Sequence, residues 1–195
     1  MKFLKIFAIL NLLFFTLCIL VYKEKIPRYL IVGSPKINGE MLEALNFIGN
    51  DIIAEGVSEA IKHKAIILGI TRDNNDDMPM TRATIESLGN LFADYRVVVF
   101  ENDSKDGTKE SLREWEQKND KVKIISQDFN NMKRPEIQFL ADCRNRYLKE
   151  IESEKYDDFD ILIVIDMDMA YGIDMRGVLD SFSKFGRWDA VCSNG

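Results

Sequence analysis

Histidine is nearly absent from this chain: His63 stands alone among 195 residues. Cysteine is scarce and scattered, with Cys18, Cys143 and Cys192 far apart and no Cys-x-x-Cys pair. A zinc centre of His and Cys ligands finds no support, nor does a Ser-His-Asp or Cys-His nucleophilic arrangement. His63, set between Lys62 and Lys64, reads as a solvated residue at a helix end. For Cys143 and Cys192, one disulfide and two buried free thiols are the open readings, and buried thiols are the simpler. An excess of positive charge is missing too. The net charge is −6 and no basic stripe is interleaved with aromatics, so nucleic acid is not an expected partner. Acidic balance does suit an enzyme that brings its own cation to a phosphorylated substrate. No internal repeat or low-complexity tract is present. The 46% hydrophobic content is that of a folded protein, and the length suits one domain with appendages.

The N-terminus carries a run without charge, from Ile6 to Tyr22, preceded by Lys2 and Lys5 and followed by Lys23, Lys25 and Arg28. With Phe3 and Leu4 it approaches the roughly 20 residues that span a bilayer as a helix. A cleaved signal peptide would want small residues before its cleavage site, and the stretch before Tyr22 offers none. Residues 1–22 are therefore expected to be an uncleaved, single-pass transmembrane signal anchor. Positive charge at both ends leaves its orientation open. Residues 23–40, with Pro27, Gly33, Pro35 and Gly39, read as a stalk or linker, and residues 41–195 as the folded domain.

Within that domain, apolar spacing predicts a helix from Glu40 to Lys62, weakened by Gly49 and Gly56. A buried strand over Ala65–Ile70 follows, then a helix over Thr81–Ala93. Next come a strand over Arg96–Phe100, a helix over Thr108–Lys118 and a short strand over Lys121–Ser126. A long helix over Pro135–Glu154, a strand over Ile161–Ile165, a helix over Met175–Phe185 and a strand starting at Ala190 complete the pattern. This alternation predicts an α/β fold, with a mostly parallel sheet flanked by helices. Ligands of such sheets bind beyond the C-terminal ends of the strands.

Those ends are rich in carboxylates and amides. Thr71-Arg72-Asp73-Asn74-Asn75 follows the first strand of the domain, and Glu101-Asn102-Asp103-Ser104-Lys105-Asp106 the second. The apolar run Ile161–Ile165 leads directly into Asp166-Met167-Asp168. Strand alternation puts Asp166 and Asp168 on one side. Two converging carboxylates repel unless a cation lies between them, and hard Mg²⁺ or Mn²⁺ suits carboxylate oxygens. A strand must also end somewhere, and Asp is a common stop; Asp106 or Thr108 equally suits a helix cap.

Read together, Val97-Val98-Val99-Phe100-Glu101-Asn102-Asp103-Ser104-Lys105-Asp106-Gly107-Thr108 resembles the nucleotide-binding turn of glycosyltransferases with the GT-A fold. The Asp-x-Asp after a later apolar strand resembles their metal and sugar-nucleotide motif. Phe139-Leu140-Ala141-Asp142-Cys143-Arg144-Asn145 and Trp188-Asp189-Ala190-Val191-Cys192 resemble segments of the capsule-associated α-1,3-mannosyltransferase family of fungi. That family more often carries Asn-Asp-Val where this chain has Asp166-Met167-Asp168.

The resemblance, which covers about residues 64–195, implies a Rossmann-like GT-A fold. It also implies transfer of a sugar, mannose from GDP-mannose, from a nucleoside diphosphate sugar to a hydroxyl of a glycan, lipid or protein acceptor. It implies Mn²⁺ or Mg²⁺ held by Asp168 and Asp166, with Asp166 also on the ribose or sugar. Asp103 and Glu101 would then stand at the nucleotide, Thr71 and Arg72 at the nucleotide or its phosphates, and Arg144 and Asn145 toward the donor. Arg144 has an alternative as a partner of Asp142 or Glu136, Arg72 as a plain surface residue and Asn145 as a helix-surface amide. No catalytic base is named. The resemblance further leads one to expect a continuation past Gly195 that forms the acceptor site, which makes the chain a fragment, a truncated product or a domain completed elsewhere. An inactive or partial transferase acting as a membrane-bound partner or scaffold is the alternative function. A single-pass protein of the Golgi or ER lumen (type II) is the expected location in a eukaryote, and a membrane-associated one otherwise.

Two other enzyme classes fit less well. A phosphatase of the haloacid dehalogenase type would carry its Asp-x-Asp on the first strand and Thr or Val where Ala170 stands. A nucleotidyltransferase would want a Gly-rich loop after the first strand, and Gly69-Ile70-Thr71-Arg72 is not one.

Overall fold

A computed structural model describes residues 5–10, 50–129, 137–170 and 172–194. The described strands are β1 (Lys5–Leu10), β2 (Lys64–Thr71), β3 (Asp94–Glu101), β4 (Val122–Ser126), β5 (Ile161–Asp166) and β6 (Ala190–Asn194). They form one sheet in the order β4-β3-β2-β5-β1-β6, and every adjacent pair is parallel. The described helices are α1 (Asn50–Ala60), α2 (Met78–Gly89), α3 (Thr108–Lys118), α4 (Ile137–Ile151) and α5 (Met175–Ser183). The expected α/β alternation is therefore present. Of the helix expected over Glu40–Lys62, residues 40–49 lie outside the described residues.

Strands of an all-parallel sheet are covered on both faces, which is why β2, β3 and β5 read as near-continuous apolar runs. Ile67, Val97, Val99, Ile161, Ile163 and Ile165 pack with Ile53 of α1, Ile85 and Leu88 of α2, Leu112 and Trp115 of α3, and Leu179 and Phe182 of α5. On the opposite face Ile66, Leu68, Val98, Phe100 and Leu162 pack under Cys143 and Tyr147 of α4 and under Tyr156 and Phe159. The molecule is thus a three-layer sandwich, in which α4 covers one face and α1, α2, α3 and α5 the other.

Three sequence expectations meet a different local structure. Lys5 and the first five residues of the uncharged N-terminal stretch, Ile6–Leu10, form a strand between β5 and β6. An apolar run that suits lipid equally suits a strand buried on both faces, and periodicity alone does not separate them. Residues 11–49, which hold the rest of the expected anchor and the stalk, lie outside the described residues. Among the described residues no helix is long and apolar enough to cross a membrane. Second, Cys143 is a buried free thiol but Cys192 is exposed, because it lies on the edge strand. Third, His63 is not simply solvated. Its Nδ1 stands 2.5 Å from Asp160 Oδ2 and its Nε2 3.3 Å from Glu59 Oε1, while its ring lies 4.2 Å from that of Phe185.

Gly56 looked like a weak point in a helix, yet it is where α1 meets α5. A Cβ at position 56 would stand 2.0 Å from the Leu179 carbonyl oxygen, a backbone atom that cannot rotate away. Gly56→Ala is expected to force the two helices apart and to cost about 1–3 kcal/mol, as overpacking does. Urea unfolding checks it: the midpoint falls while the slope stays the same. An unchanged midpoint would contradict the packing.

Candidate functional site

From β2 the chain moves outward through β3 to β4, then returns to the other side of β2 as β5. The strand order reverses between β2 and β5, and ligands of open α/β sheets bind at such a switch point, outside the carboxyl ends of the strands. Thr71 ends β2, Glu101 ends β3 and Asp166 ends β5, so the three acidic or polar loops singled out in the sequence share one edge. Thr71 is in register with Glu101, and Ile70 with Asp166.

The loops after β2 and β3 are bonded to each other. The Asp73 amide donates to Ser104 Oγ at 3.1 Å and the Lys105 amide returns a bond to Asp73 Oδ1 at 2.7 Å. The Asn74 amide donates to Thr108 Oγ1 at 2.8 Å, and the Asn75 amide to Asp106 Oδ2 at 2.8 Å. Asp106 also accepts from the amide and hydroxyl of Thr108, at 3.0 and 2.6 Å, and so satisfies the first turn of α3 from just before its N-cap Gly107. Asp73 and Asp103 both sit at positive φ, 48° and 53°, a region that Asp tolerates better than most residues.

Alternation along β5 continues beyond its last residue. Ile161, Ile163, Ile165, Met167 and Met169 all enter the core under α2 and α5, while Leu162 and Val164 face α4. Asp166 and Asp168 share the parity of Leu162 and Val164; Asp166 is half-buried and Asp168 exposed. On that face Tyr147 is only 2% exposed. Burial first, then the negative charge of Asp166, pushes its phenol up, against the pull of Arg144 one turn earlier on α4. Burial, then the charge of Asp142, pushes the neighbouring Cys143 thiol up against the pull of Arg146, and Asp103 and Arg144 act on it more weakly. Asp103 accepts from the Phe129 amide at 2.8 Å, and Phe129 packs on the same face. Asp103, Arg144 and Asp166 therefore all lie within electrostatic reach of Cys143 or Tyr147 at the α4 side of the sheet edge.

The other sequence candidates stand apart from that group. Glu101 is fully buried, and its carboxylate accepts from the Ser104 amide at 2.8 Å and from the Ser126 hydroxyl; it braces the turn instead of facing solvent. By strand parity Thr71 and Glu101 lie on the α2 side. Thr71 is 7% exposed, and its hydroxyl has no hydrogen-bond partner among the described residues. Arg72 is exposed and pairs with Asp73 at 3.4 Å. Asn145 is exposed on α4. Tyr147 was missed by sequence reasoning, although its spacing of three from Arg144 and four from Cys143 on one helix was available as a signal.

The donor set suits a hard cation in kind, since Asp166 and Asp168 offer carboxylate oxygens. Among the described residues no group of three or more His, Cys, Asp or Glu side chains is assembled to hold a metal. A cation at Asp166 and Asp168 would therefore complete its shell with oxygens from water and ligand, the habit of Mg²⁺ at phosphate-binding sites.

A family model for glycosyl transferase family 2 matches residues 74–171. The match opens within the loop after β2 and closes just beyond Asp168, so it takes in that loop from Asn74 onward, the loop after β3, α4 and β5. No curated protein and no solved structure matches the chain.

The interlocking loops carry a pH signature. Burial opposes ionisation of Asp106, but the Thr108 hydroxyl and the amides of Asn75 and Thr108 outweigh it and hold its pKa below the ordinary value. A carboxylate lowered by folding contributes stability above its unfolded-state pKa and loses it as pH falls through the folded one. Wild-type protein is therefore expected to lose stability below the ordinary carboxylate range more steeply than Asp106→Asn. Denaturant unfolding at a series of acid pH values measures this, and parallel curves would count against it.

Proposed function

Since the chain belongs to glycosyl transferase family 2, a glycosyltransferase family using a nucleotide-sugar donor and an acceptor, we propose that it transfers a sugar from a nucleoside diphosphate sugar to an acceptor hydroxyl with a divalent cation. The observation that carries this reading is the gathering of Asp103, Arg144 and Asp166 on the α4 face at the switch point, with Asp168 next along the same face. Within it, Asp166 and Asp168 hold Mn²⁺ or Mg²⁺, which when bound supplies Lewis acidity against the charge building on the leaving diphosphate. Arg144 offers a planar guanidinium that matches phosphate oxygens, and its hydrogen bond with Tyr147 steadies it on α4. Asp103 accepts a hydrogen bond from the base or ribose. The buried Thr71 hydroxyl supports a polar ligand contact at the end of β2. Arg72 and Asn145, exposed after β2 and on α4, are assigned to the donor by the resemblance alone, and Glu101 serves by bracing the Ser104 turn. Mannose from GDP-mannose is the donor that the Leu140-Ala141 to Asn145 resemblance favours, and a glycan, lipid or protein hydroxyl the acceptor.

Binding of GDP and UDP with and without Mn²⁺, followed by calorimetry, tests this. Asp168→Ala and Asp166→Asn are expected to remove the manganese-dependent part of nucleotide binding while leaving the unfolding midpoint within about 0.5 kcal/mol of wild type, as surface substitutions do. A folded wild-type chain that binds neither nucleotide would turn the reading to the scaffold alternative.

The location at a membrane, lumenal in the ER or Golgi of a eukaryotic cell, rests on the uncharged run Ile6–Tyr22, of which Ile6–Leu10 lie in β1. Alkaline carbonate extraction of the full chain separates the two placements. A chain kept in the membrane pellet has this run in lipid; release to the supernatant would support its place in the sheet.

A further inference from the structure

Met167 stands between the two aspartates of Asp166-Met167-Asp168, and its backbone lies past the end of the sheet ladder, since the last β2–β5 partners are Ile70 and Asp166. A carbonyl that leaves a ladder in a buried place needs donors from elsewhere. Here both lone pairs of the Met167 oxygen are used. Thr81 Oγ1, at the first turns of α2, donates at 2.8 Å, and the Asn74 carboxamide donates to the same oxygen. Thr81 is fully buried, so its hydroxyl has no competing water. The Met167 side chain is fixed as well: it fills the space above Gly69, where a Cβ would stand 2.4 Å from its Sδ.

Asn74 faces two ways. Its carboxamide reaches Met167, while its amide donates to Thr108 Oγ1, and its neighbours Asp73 and Asn75 are tied to Lys105, Ser104 and Asp106. The loop after β2 is thus a bridge between the turn that carries Asp103 and the turn that carries Asp166 and Asp168. We propose that Asn74 and Thr81 are positioning residues, which clasp the Met167 carbonyl and thereby couple cation binding at Asp166 and Asp168 to nucleotide binding beside Asp103. This rests on the donor-site reading above. Coupling of this kind is reciprocal: each ligand raises the affinity for the other by one factor.

The experiment measures that factor as the ratio of GDP affinity (or UDP, whichever the wild-type protein binds) with saturating Mn²⁺ to that without metal. Wild type is compared with Asn74→Ala, Thr81→Val and Thr81→Ser. In Asn74→Ala and Thr81→Val the ratio is expected to fall about tenfold, the scale on which partners behind metal ligands act. Metal-free affinity stays within about twofold in the same variants, since neither side chain reaches the nucleotide turn. Thr81→Ser, which keeps the hydroxyl, retains the wild-type ratio. An unchanged ratio in both variants overturns the inference, and so does an equal fall of metal-free and metal-bound affinity, which would mean general distortion. If Asn74→Ala does not fold, the isosteric Thr81→Val against Thr81→Ser decides alone. A wild-type chain that binds no nucleotide overturns the donor-site reading itself, an outcome distinct from nucleotide binding without the coupling.

Discussion

All described strands of this sheet run in one direction, so every loop that follows a strand emerges at the same edge. There the ladder stops and backbone groups lose their partners. Buried peptide groups without partners are costly, by roughly 1–3 kcal/mol each. The loops answer with short polar side chains. Ser104 and Thr108 accept amides of the first loop, Asp106 accepts an amide from each loop, and Thr81 and Asn74 satisfy the Met167 carbonyl. The edge that must bind a ligand is therefore also the edge most fully occupied with holding itself together.

This divides the acidic residues by task. Asp73, Glu101 and Asp106 spend their oxygens on amides and hydroxyls of neighbouring loops. Asp103, Asp166 and Asp168 gather instead on the face covered by α4, where Arg144 and Tyr147 accompany them. Where a strand itself ends in an acid the division follows strand parity: Glu101 at the end of β3 lies on the α2 side, while Asp166 at the end of β5 turns toward α4. The acids at the strand ends thus form two populations, of which one builds the loops and the other fronts the donor in the proposed reaction.

Much of this was legible in the sequence, because burial on both faces writes itself as unbroken apolar runs. β2, β3 and β5 fell where Ala65–Ile70, Arg96–Phe100 and Ile161–Ile165 predicted them, and α3 spans Thr108–Lys118 as its composition suggests. α2 starts earlier than expected, at Met78, because Pro79 suits a first turn, and it stops at Gly89, short of the expected end at Ala93. What stayed hidden depends on contacts distant in sequence. Nothing local says that Glu101 will be enclosed by Ser126, that His63 will meet Asp160, or that Lys5–Leu10 will pair with β5. Likewise Tyr147 acquires its surroundings only when α4 lies across the end of β5.

The two central strands are fastened at both ends. At the far edge, the Lys64 amide donates to Asp160 Oδ1 at 3.0 Å, the Asp160 amide to the Lys64 carbonyl at 3.1 Å, and His63 closes on the same carboxylate. At the near edge, the clasp on Met167 ties the exit of β5 to the loop and helix that follow β2. Fastened twice, β5 cannot slide along β2 by a residue. In a sheet with side chains of period two, such a slip would carry Asp166 and Asp168 through to the apolar side beneath α2 and bring Met167 out in their stead. Whether these carboxylates meet a ligand at all is thus a matter of register, and part of what guards it is a histidine bridge at the opposite end of the molecule.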